Sequence, residues 1–373
     1  MLSRVVGMLS KSYDKSAQEV CCTTEGEHGP VSSSDRTIAS SPALEPVSRL
    51  SEKTSKDRKF FKVRLPSRIL SLCGGGHLCI AHLGVLKALR DRDQLKYIKG
   101  VVGISAGALV ALIYILGYTI EQIERLLRSI DLTMFTSVES ESALLFYQTM
   151  CINSGQKLDS FLVSLLEAKG LSADVTFAQL DSALFFRCYA THLQTSEIKE
   201  FSVEKTPNHS LLFALRASMC LPVVFAPMKD PFTDALYYDA ALIHNMPFVF
   251  LNEEEKRQTL SVFFDVFSSG SASASGSAEG GQAEPEAEPE GQAEPEDITS
   301  IFRYAIKSFY SQRNVYILKR YADHMVHIPV DVTKFLNSSP DDVAQCIALG
   351  YSKCVSFLSS SSTRPVVRRY SVS

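Results

Sequence analysis

A serine stands between two glycines in the stretch Gly103–Gly107, which reads Gly-Ile-Ser-Ala-Gly. The apolar run Ile98–Val102 precedes it and predicts a strand, and the apolar residues that follow it predict a helix. A sharp strand-to-helix turn exposes and aligns a serine hydroxyl, and Gly103 and Gly107 leave room for that turn. The pattern therefore predicts that Ser105 is the nucleophile of an acyl-transfer reaction, provided that a base lies beside it.

A second glycine-rich stretch, Gly74-Gly75-Gly76, follows the apolar run Arg68–Cys73, which predicts a buried strand. Glycine amides can approach a developing oxyanion closely because no Cβ intervenes. The residues do not fit a phosphate loop, because the lysine of a Walker loop and the Gly-x-Gly-x-x-Gly pattern are both missing. An oxyanion hole and a plain tight turn both stay open as interpretations.

An aspartate at the end of a third apolar run could supply the base. Leu236–Tyr238 predicts a strand, and Asp239 follows it directly. At the carboxyl end of a parallel strand, this carboxylate would face the same sheet edge as the serine turn and the glycine loop. In contact with Ser105, it could accept the hydroxyl proton without a histidine if the pocket raises its pKa. A helix N-cap is the alternative interpretation of Asp239.

The order of the predicted elements favours one α/β domain over residues 67–358. Strand, glycine loop, helix, strand, serine turn and helix succeed one another, which is typical of a parallel sheet with helices on both faces. The rest is expected to lack order: an N-terminal region over 1–66, an acidic insert of Ala, Glu, Pro, Gly and Ser over 268–297, and a C-terminal tail over 359–373.

Composition narrows the class of protein. The 373 residues are 45% hydrophobic, and a formal net charge of −3 gives no reason to expect a nucleic-acid partner. The nine cysteines are scattered without metal spacing, so reduced thiols and no metal site are expected. No secretory signal is recognisable, and the apolar segment Val101–Tyr118 fits a strand, turn and helix better than a membrane span. An intracellular location, cytoplasmic or peripheral to a membrane, is expected.

Four motifs, in this order, resemble those of the patatin-like phospholipase family. They are the oxyanion loop with the first helix (Ser71–Gly76 and His82–Leu86), the nucleophile turn (Gly103–Gly107), the Arg-Ala-Ser helix end with its proline loop (Arg216–Pro227) and the aspartate box (Asp239–Ala241, then Asn245–Pro247). A softer likeness continues in the last predicted helix.

The resemblance implies a three-layer α/β/α fold with a mainly parallel central sheet and a Ser-Asp catalytic dyad. Ser105 would attack an ester carbonyl, and Asp239 would act as general base and then as acid. Backbone amides of Gly75 and Gly76, with a neighbour such as Gly74, would hold the oxyanion. The implied activity is a phospholipase A-type lipid acyl hydrolase without a cofactor. Its substrate would be a lipid or phospholipid at a membrane or lipid-droplet surface.

Two departures from the family pattern leave alternatives open. Leu78-Cys79 stands where the family usually has Arg-Gly, which favours a shift toward neutral lipid, and Ala240 stands where Gly is usual. One alternative is a catalytically impaired lipid-binding or scaffold protein of the same fold. Another is a Ser-Asp-His esterase whose triad is completed by His244, His324 or His327. Transfer of the acyl group to a lipid alcohol instead of water is also open.

Overall fold

The structure is a computed structural model that describes residues 66–129, 151–265, 321–330 and 340–362. All of them belong to one of the two compact units of the chain, Phe60–Ser373. The acidic insert expected at 268–297 lies outside the described residues, as does nearly all of the region 1–66.

The described residues alternate between strands and helices through most of the chain. The strands are β1 (Ile69–Leu72), β2 (Gly100–Gly103), β3 (Phe185–His192), β4 (Ile198–Ser202), β5 (Met228–Lys229), β6 (Leu236–Asp239), β7 (Thr259–Asp265) and β8 (Met325–Pro329). The α-helices are α1 (Ile80–Asp91), α2 (Ala106–Ile115), α3 (Ile120–Ser129), α4 (Gln156–Glu167), α5 (Leu211–Ser218), α6 (Glu253–Arg257) and α7 (Pro340–Ser362). Single 3₁₀ turns fill several of the connections, including Gly76–Cys79, Ala240–Leu242 and Pro247–Phe250.

The strands form one sheet in the order β5-β6-β3-β2-β1-β7-β8, and β4 pairs with β3 in addition. The pairs β3–β2, β2–β1, β1–β7 and β7–β8 are parallel. The pairs that β3 makes with β4 and β6, and the pair β5–β6, are antiparallel. The expected mainly parallel sheet is therefore confirmed, with an antiparallel section beside β3.

Helices cover both faces of the sheet, because successive side chains of a strand point to opposite faces. Leu70 of β1 belongs to a large core that also contains the buried residues of α1, α2, α4 and α5. Its neighbour Ile69 belongs to a smaller core with Ala240 and Ala241 of one 3₁₀ turn and with Leu251, which directly follows another. The arrangement is the expected three-layer α/β/α fold.

Helix α1 follows the glycine loop after one 3₁₀ turn and packs closely against α7 at two glycines. A Cβ on Gly84 would lie 2.0 Å from the carbonyl oxygen of Ile347, and a Cβ on Gly350 would lie 2.1 Å from that of Ala81. The two backbones thus approach more closely than any side chain would allow. Helix α7 continues to Ser362. Residues 359–362, expected to belong to a C-terminal tail, are therefore helical, and the rest of that expected tail lies outside the described residues.

Among the described residues, no helix combines the length and the apolar character that crossing a bilayer requires. The apolar segment Val101–Tyr118 is divided between the end of β2, the Ser105 turn and α2. Nine of the ten residues of α2 are buried, which is why the helix reads as apolar on all sides.

Candidate active site

Ser105 lies in a strained turn between β2 and α2, as the sequence predicts. Its φ of 54° and ψ of −130° are rarely adopted by residues other than glycine, and its surface is 8% exposed. The flanking glycines are required sterically. A Cβ on Gly103 would lie 2.5 Å from Cα of Ala108. A Cβ on Gly107 would lie 2.4 Å from the carbonyl oxygens of Leu72, at the end of β1, and Cys73.

Asp239 ends strand β6, but this strand does not run parallel to its neighbour, as the sequence interpretation assumed. β6 is antiparallel to β3, with Asp239 paired to Ala190. Some residues of β3 pair with both β2 and β4, and others pair with both β6 and β4. β2 and β6 therefore lie along the same edge of β3, and β4 lies along the opposite edge. β2 ends at Gly103 opposite Cys188, two residues from Ala190, or about 7 Å along the strand. The two strands therefore end facing each other.

The carboxyl group of Asp239 is fully buried beside Ser105. Oδ1 accepts the N–H of Ala241 at 2.8 Å, so Asp239 also caps the 3₁₀ turn that follows it, which was the alternative interpretation. Burial raises the pKa of Asp239 to about 7, against the lowering effect of hydrogen bonding by the Ser105 side chain and the Ala241 amide. The contact with Ser105 is looser than the hydrogen bond from Ala241. The other carboxyl oxygen, Oδ2, has no partner within hydrogen-bonding distance among the described residues.

The glycine loop is held in place by Asn245. Its Oδ1 accepts the N–H of Gly74 at 2.8 Å, and its Nδ2 donates to the carbonyl of Gly74 at 3.0 Å. A Cβ on Gly74 would lie 3.0 Å from Cβ of Ser105, so the loop passes directly beside the serine. The N–H of Gly74 is thus occupied within the protein. The carbonyl of Gly75 closes the next turn by accepting the N–H of Leu78 at 3.1 Å.

The side chains of Phe264 and His82 pack against the glycine loop and support it. A Cβ on Gly75 would lie 2.6 Å from the ring of Phe264, so only glycine fits at this position. The ring of His82 stacks on Phe264 with centroids 4.7 Å apart, and its Nε2 donates to the carbonyl of Cys73 at 2.9 Å. Burial lowers the pKa of His82 to about 4, so the ring is neutral and holds the start of the loop as a hydrogen-bond donor.

The two departures from the family pattern are accommodated in the interior. Leu78 and Cys79 are 2% and 0% exposed and belong to the large core. Burial raises the pKa of the Cys79 thiol to about 12, so it is a neutral core side chain. Ala240 is also fully buried, and its methyl group packs in the smaller core.

The end of α5 contacts both candidate residues, although the sequence assigned it no role. Oγ of Ser218 accepts the N–H of Ser105 at 3.0 Å, and the carbonyl of Cys220 accepts the N–H of Asp239 at 2.8 Å. These contacts, like those of Asn245, join residues more than a hundred positions apart or on separate elements. Motif spacing marked these residues as part of the pattern, but it did not indicate which atoms they would hold.

The three histidines proposed for a triad do not lie beside Asp239. His244 packs against Phe250, which packs against Tyr189 on the face of the sheet that belongs to the smaller core. Asp239 pairs with Ala190, whose side chain points to the opposite face. His324 and His327 belong to the β8 segment, three strand spacings or about 14 Å from β2.

Comparison with known proteins finds a family whose sequence model matches the part of the chain that contains this site. Residues 70–251 match the sequence model described as Patatin-like phospholipase. This segment belongs to the patatin-like phospholipase family. The matched segment runs from β1 to the residues just before α6, and it includes the glycine loop, the Ser105 turn and Asp239.

Two curated relatives of this patatin-like chain come from viruses. It is 26% identical over 196 residues to the uncharacterized protein R571 of Acanthamoeba polyphaga mimivirus, covering 52% of this chain and 64% of the relative. It is 23% identical over 182 residues to the probable lipid hydrolase 463L of Invertebrate iridescent virus 6, covering 48% and 61%. The matches thus span less than two thirds of the length of both relatives.

The patatin-like fold is also similar to a solved bacterial structure. VipD from Legionella pneumophila superposes with a TM-score of 0.50 at 17% sequence identity, over 84% of this chain and 73% of VipD. At this level of identity the likeness concerns the fold alone.

Proposed function

We propose that this chain hydrolyses fatty-acyl esters of lipids, with Ser105 as nucleophile and Asp239 as general base. The observation that carries the proposal is the position of the buried Asp239 carboxyl against the strained Ser105 turn. Membership of the patatin-like phospholipase family supports the lipid class of substrate, and the description of one relative as a probable lipid hydrolase agrees with it. Phospholipids and other acyl lipids are the expected substrates, met at a membrane or droplet surface.

In the proposed reaction, Oγ of Ser105 attacks the ester carbonyl carbon while its proton passes to Asp239. The tetrahedral intermediate collapses with cleavage of the ester C–O bond, and Asp239 returns the proton to the leaving alcohol. Water then attacks the acyl-enzyme and gives a proton to Asp239. The bond between the acyl carbon and Ser105 Oγ breaks, Asp239 returns the proton to Oγ, and the fatty acid is released. A carboxyl with a pKa of about 7 suits both directions of transfer near neutral pH.

The oxyanion would be held by backbone amides at the edge of the same turn. We assign this role to Gly75 and Gly76, because the N–H of Gly74 is already donated to Asn245. Gly74 is then the anchor of the loop instead of a donor to the substrate. The start of α2 adds favourable electrostatics, since the amino end of a helix carries partial positive charge. None of these steps requires a cofactor.

The departures at Leu78 and Cys79 bear on substrate choice. A basic side chain at this position could attract a phosphate group, whereas two buried apolar side chains leave no charge there. We therefore expect less dependence on a phosphorylated head group than an arginine at this position would give.

The test is to incubate the purified chain with a mixture of phospholipids and neutral acylglycerols and to identify the products by mass. Free fatty acid formed by the wild type, and not by Ser105→Ala, supports hydrolysis. Acyl transfer to a lipid alcohol supports the transacylase variant of the same chemistry. No lipid turnover by a folded sample would contradict the proposal and favour a lipid-binding scaffold.

A further inference from the structure

The carboxyl end of helix α5 touches both candidate residues through the main chain. The hydroxyl oxygen of Ser218 accepts the N–H of Ser105, and two residues later the carbonyl of Cys220 accepts the N–H of Asp239. Ser218 and Cys220 are both fully buried. One short segment therefore ties the turn after β2 to the end of β6.

The N–H of Ser105 has no main-chain partner in the turn. The ladder of β2 ends at Gly103, and the next amide, that of Ile104, donates to Leu72. Ser105 itself stands at the N-cap position of α2, where an N–H points away from the helical hydrogen bonds. The hydroxyl of Ser218 is thus the group that satisfies this buried amide, from an element that follows more than a hundred residues later.

This hydrogen bond acts on the orientation of the reacting side chain. With φ at 54° and ψ at −130°, Ser105 occupies a conformation that the chain does not adopt without outside support. A fixed N–H sets the rotation of the peptide between Ile104 and Ser105, and that rotation determines where the Cα–Cβ bond points.

We infer that Ser218 is a positioning residue for the nucleophile: its hydroxyl holds the Ser105 amide so that the Ser105 Oγ faces Asp239. The inference rests on the proposed function, since it concerns the aim of that serine. In this role Ser218 acts through Ser105 and does not contact the substrate. It also occupies the Ser105 N–H, which therefore is not a donor to the oxyanion.

The identity of residue 218 fits a positioning role. Ser218 is the last residue of α5 and is fully buried. Alanine at this position would have a higher helix propensity than serine and would bury no polar atom. The hydroxyl therefore adds nothing to the helix itself. What it adds is the acceptor for Ser105.

The test compares Ser218→Ala with the matched variant Ser202→Ala. Ser202 is equally buried, and its hydroxyl also accepts a main-chain N–H, that of Lys205 at 3.2 Å, but it lies at the end of β4. The measurements are the rate of covalent labelling by a fluorophosphonate probe, kcat and KM on a short-chain ester, and the pH profile. Thermal unfolding gives the folded fraction to which each rate is normalised.

We expect Ser218→Ala to be labelled about 10- to 100-fold more slowly than the wild type, with kcat reduced to the same extent. KM and the pH midpoint should not change, because neither the substrate surface nor the burial of Asp239 is altered. Ser202→Ala should react at the wild-type rate. A purely structural role would instead lower the folded fraction of both variants alike and leave the normalised rates equal.

Labelling of folded Ser218→Ala at the wild-type rate would overturn the inference. If that variant does not fold, Ser218→Cys takes its place, because sulfur fills the site but is a weak acceptor, and slower labelling is again expected. A wild type that is not labelled at all would overturn the proposed function, and the assignment of Ser218 with it. The two failures are therefore distinguishable.

Discussion

Ser105 and Asp239 meet because two strands of opposite direction end on the same edge of β3. β2 arrives from one side and turns at Ser105, and β6 arrives from the other side and ends at Asp239. The carboxyl is then enclosed by the sheet, by the end of α5 and by the turn that it caps. This enclosure raises its pKa, which gives it the basicity that a direct Ser-Asp pair requires.

The pH dependence of hydrolysis should follow the titration of Asp239. A general base must be ionised, and its pKa is about 7 because of burial. The value of kcat/KM on a soluble short-chain ester is therefore expected to rise with pH and to level off above a midpoint of about 7. Asp239→Asn should lose about 10²- to 10⁴-fold in rate and should not show this midpoint. A profile with a midpoint near 4 would contradict the assignment.

The same group should make folding stability depend on pH. The pKa of Asp239 is raised in the folded state, so the folded chain retains a proton that the unfolded chain loses between about pH 4 and pH 7. The wild type should therefore lose stability across this window relative to Asp239→Asn, on the order of 4 kcal/mol in total. Chemical denaturation of both proteins at several pH values measures the difference. A constant difference across the window would contradict the raised pKa.

The clamp that Asn245 forms on Gly74 should matter for both stability and rate. Asn245→Ala leaves a buried N–H and a buried carbonyl without partners, at a cost of about 2–4 kcal/mol. Because the loop lies beside Ser105, activity per folded molecule should fall as well. Asn252→Ala is the control, since Asn252 is an exposed N-cap of α6 and should cost only about 1 kcal/mol without changing the rate. Equal normalised rates for the two variants would argue against a clamped oxyanion loop.

A dyad predicts that no histidine is essential. His244, His324 and His327 lie on the other face of the sheet or about three strands away, so their replacement by alanine should leave activity per folded molecule close to that of the wild type. His324 is buried against Phe248, and its loss should lower stability without affecting the chemistry. Activity and thermal unfolding are measured for each single variant. A loss of activity in one of them, with the fold intact, would favour the triad.

The local parts of the site could be read from the sequence, because each depends on neighbouring residues. The need for glycine at 103, the turn at Ser105 and the helix after it follow from short-range sterics, whereas glycine at 107 is required by the backbone of Leu72 and Cys73 in the neighbouring part of the sheet. The succession of strands and helices likewise indicated a layered α/β fold. The place of Asp239 at a strand end makes it a candidate partner, and the resemblance to the patatin-like family favours that role over a simple cap.

The long-range parts could not be read in this way. The direction of β6 depends on its pairing with β3, about fifty residues earlier, and nothing in Leu236–Asp239 itself encodes it. The same holds for Asn245 on Gly74 and for Ser218 on Ser105, which are hydrogen bonds between separate elements. Position in a motif showed that these residues belong to the pattern, but only the fold shows which atoms they hold.

If Ser105 is a nucleophile activated by Asp239, a fluorophosphonate should label this serine covalently. The purified wild type is treated with a fluorophosphonate, and the modified peptide is located by mass. We expect one adduct, on Ser105, that is absent in Ser105→Ala and forms about 10²- to 10⁴-fold more slowly in folded Asp239→Asn. An adduct on another residue, or labelling of Asp239→Asn at the wild-type rate, would contradict it.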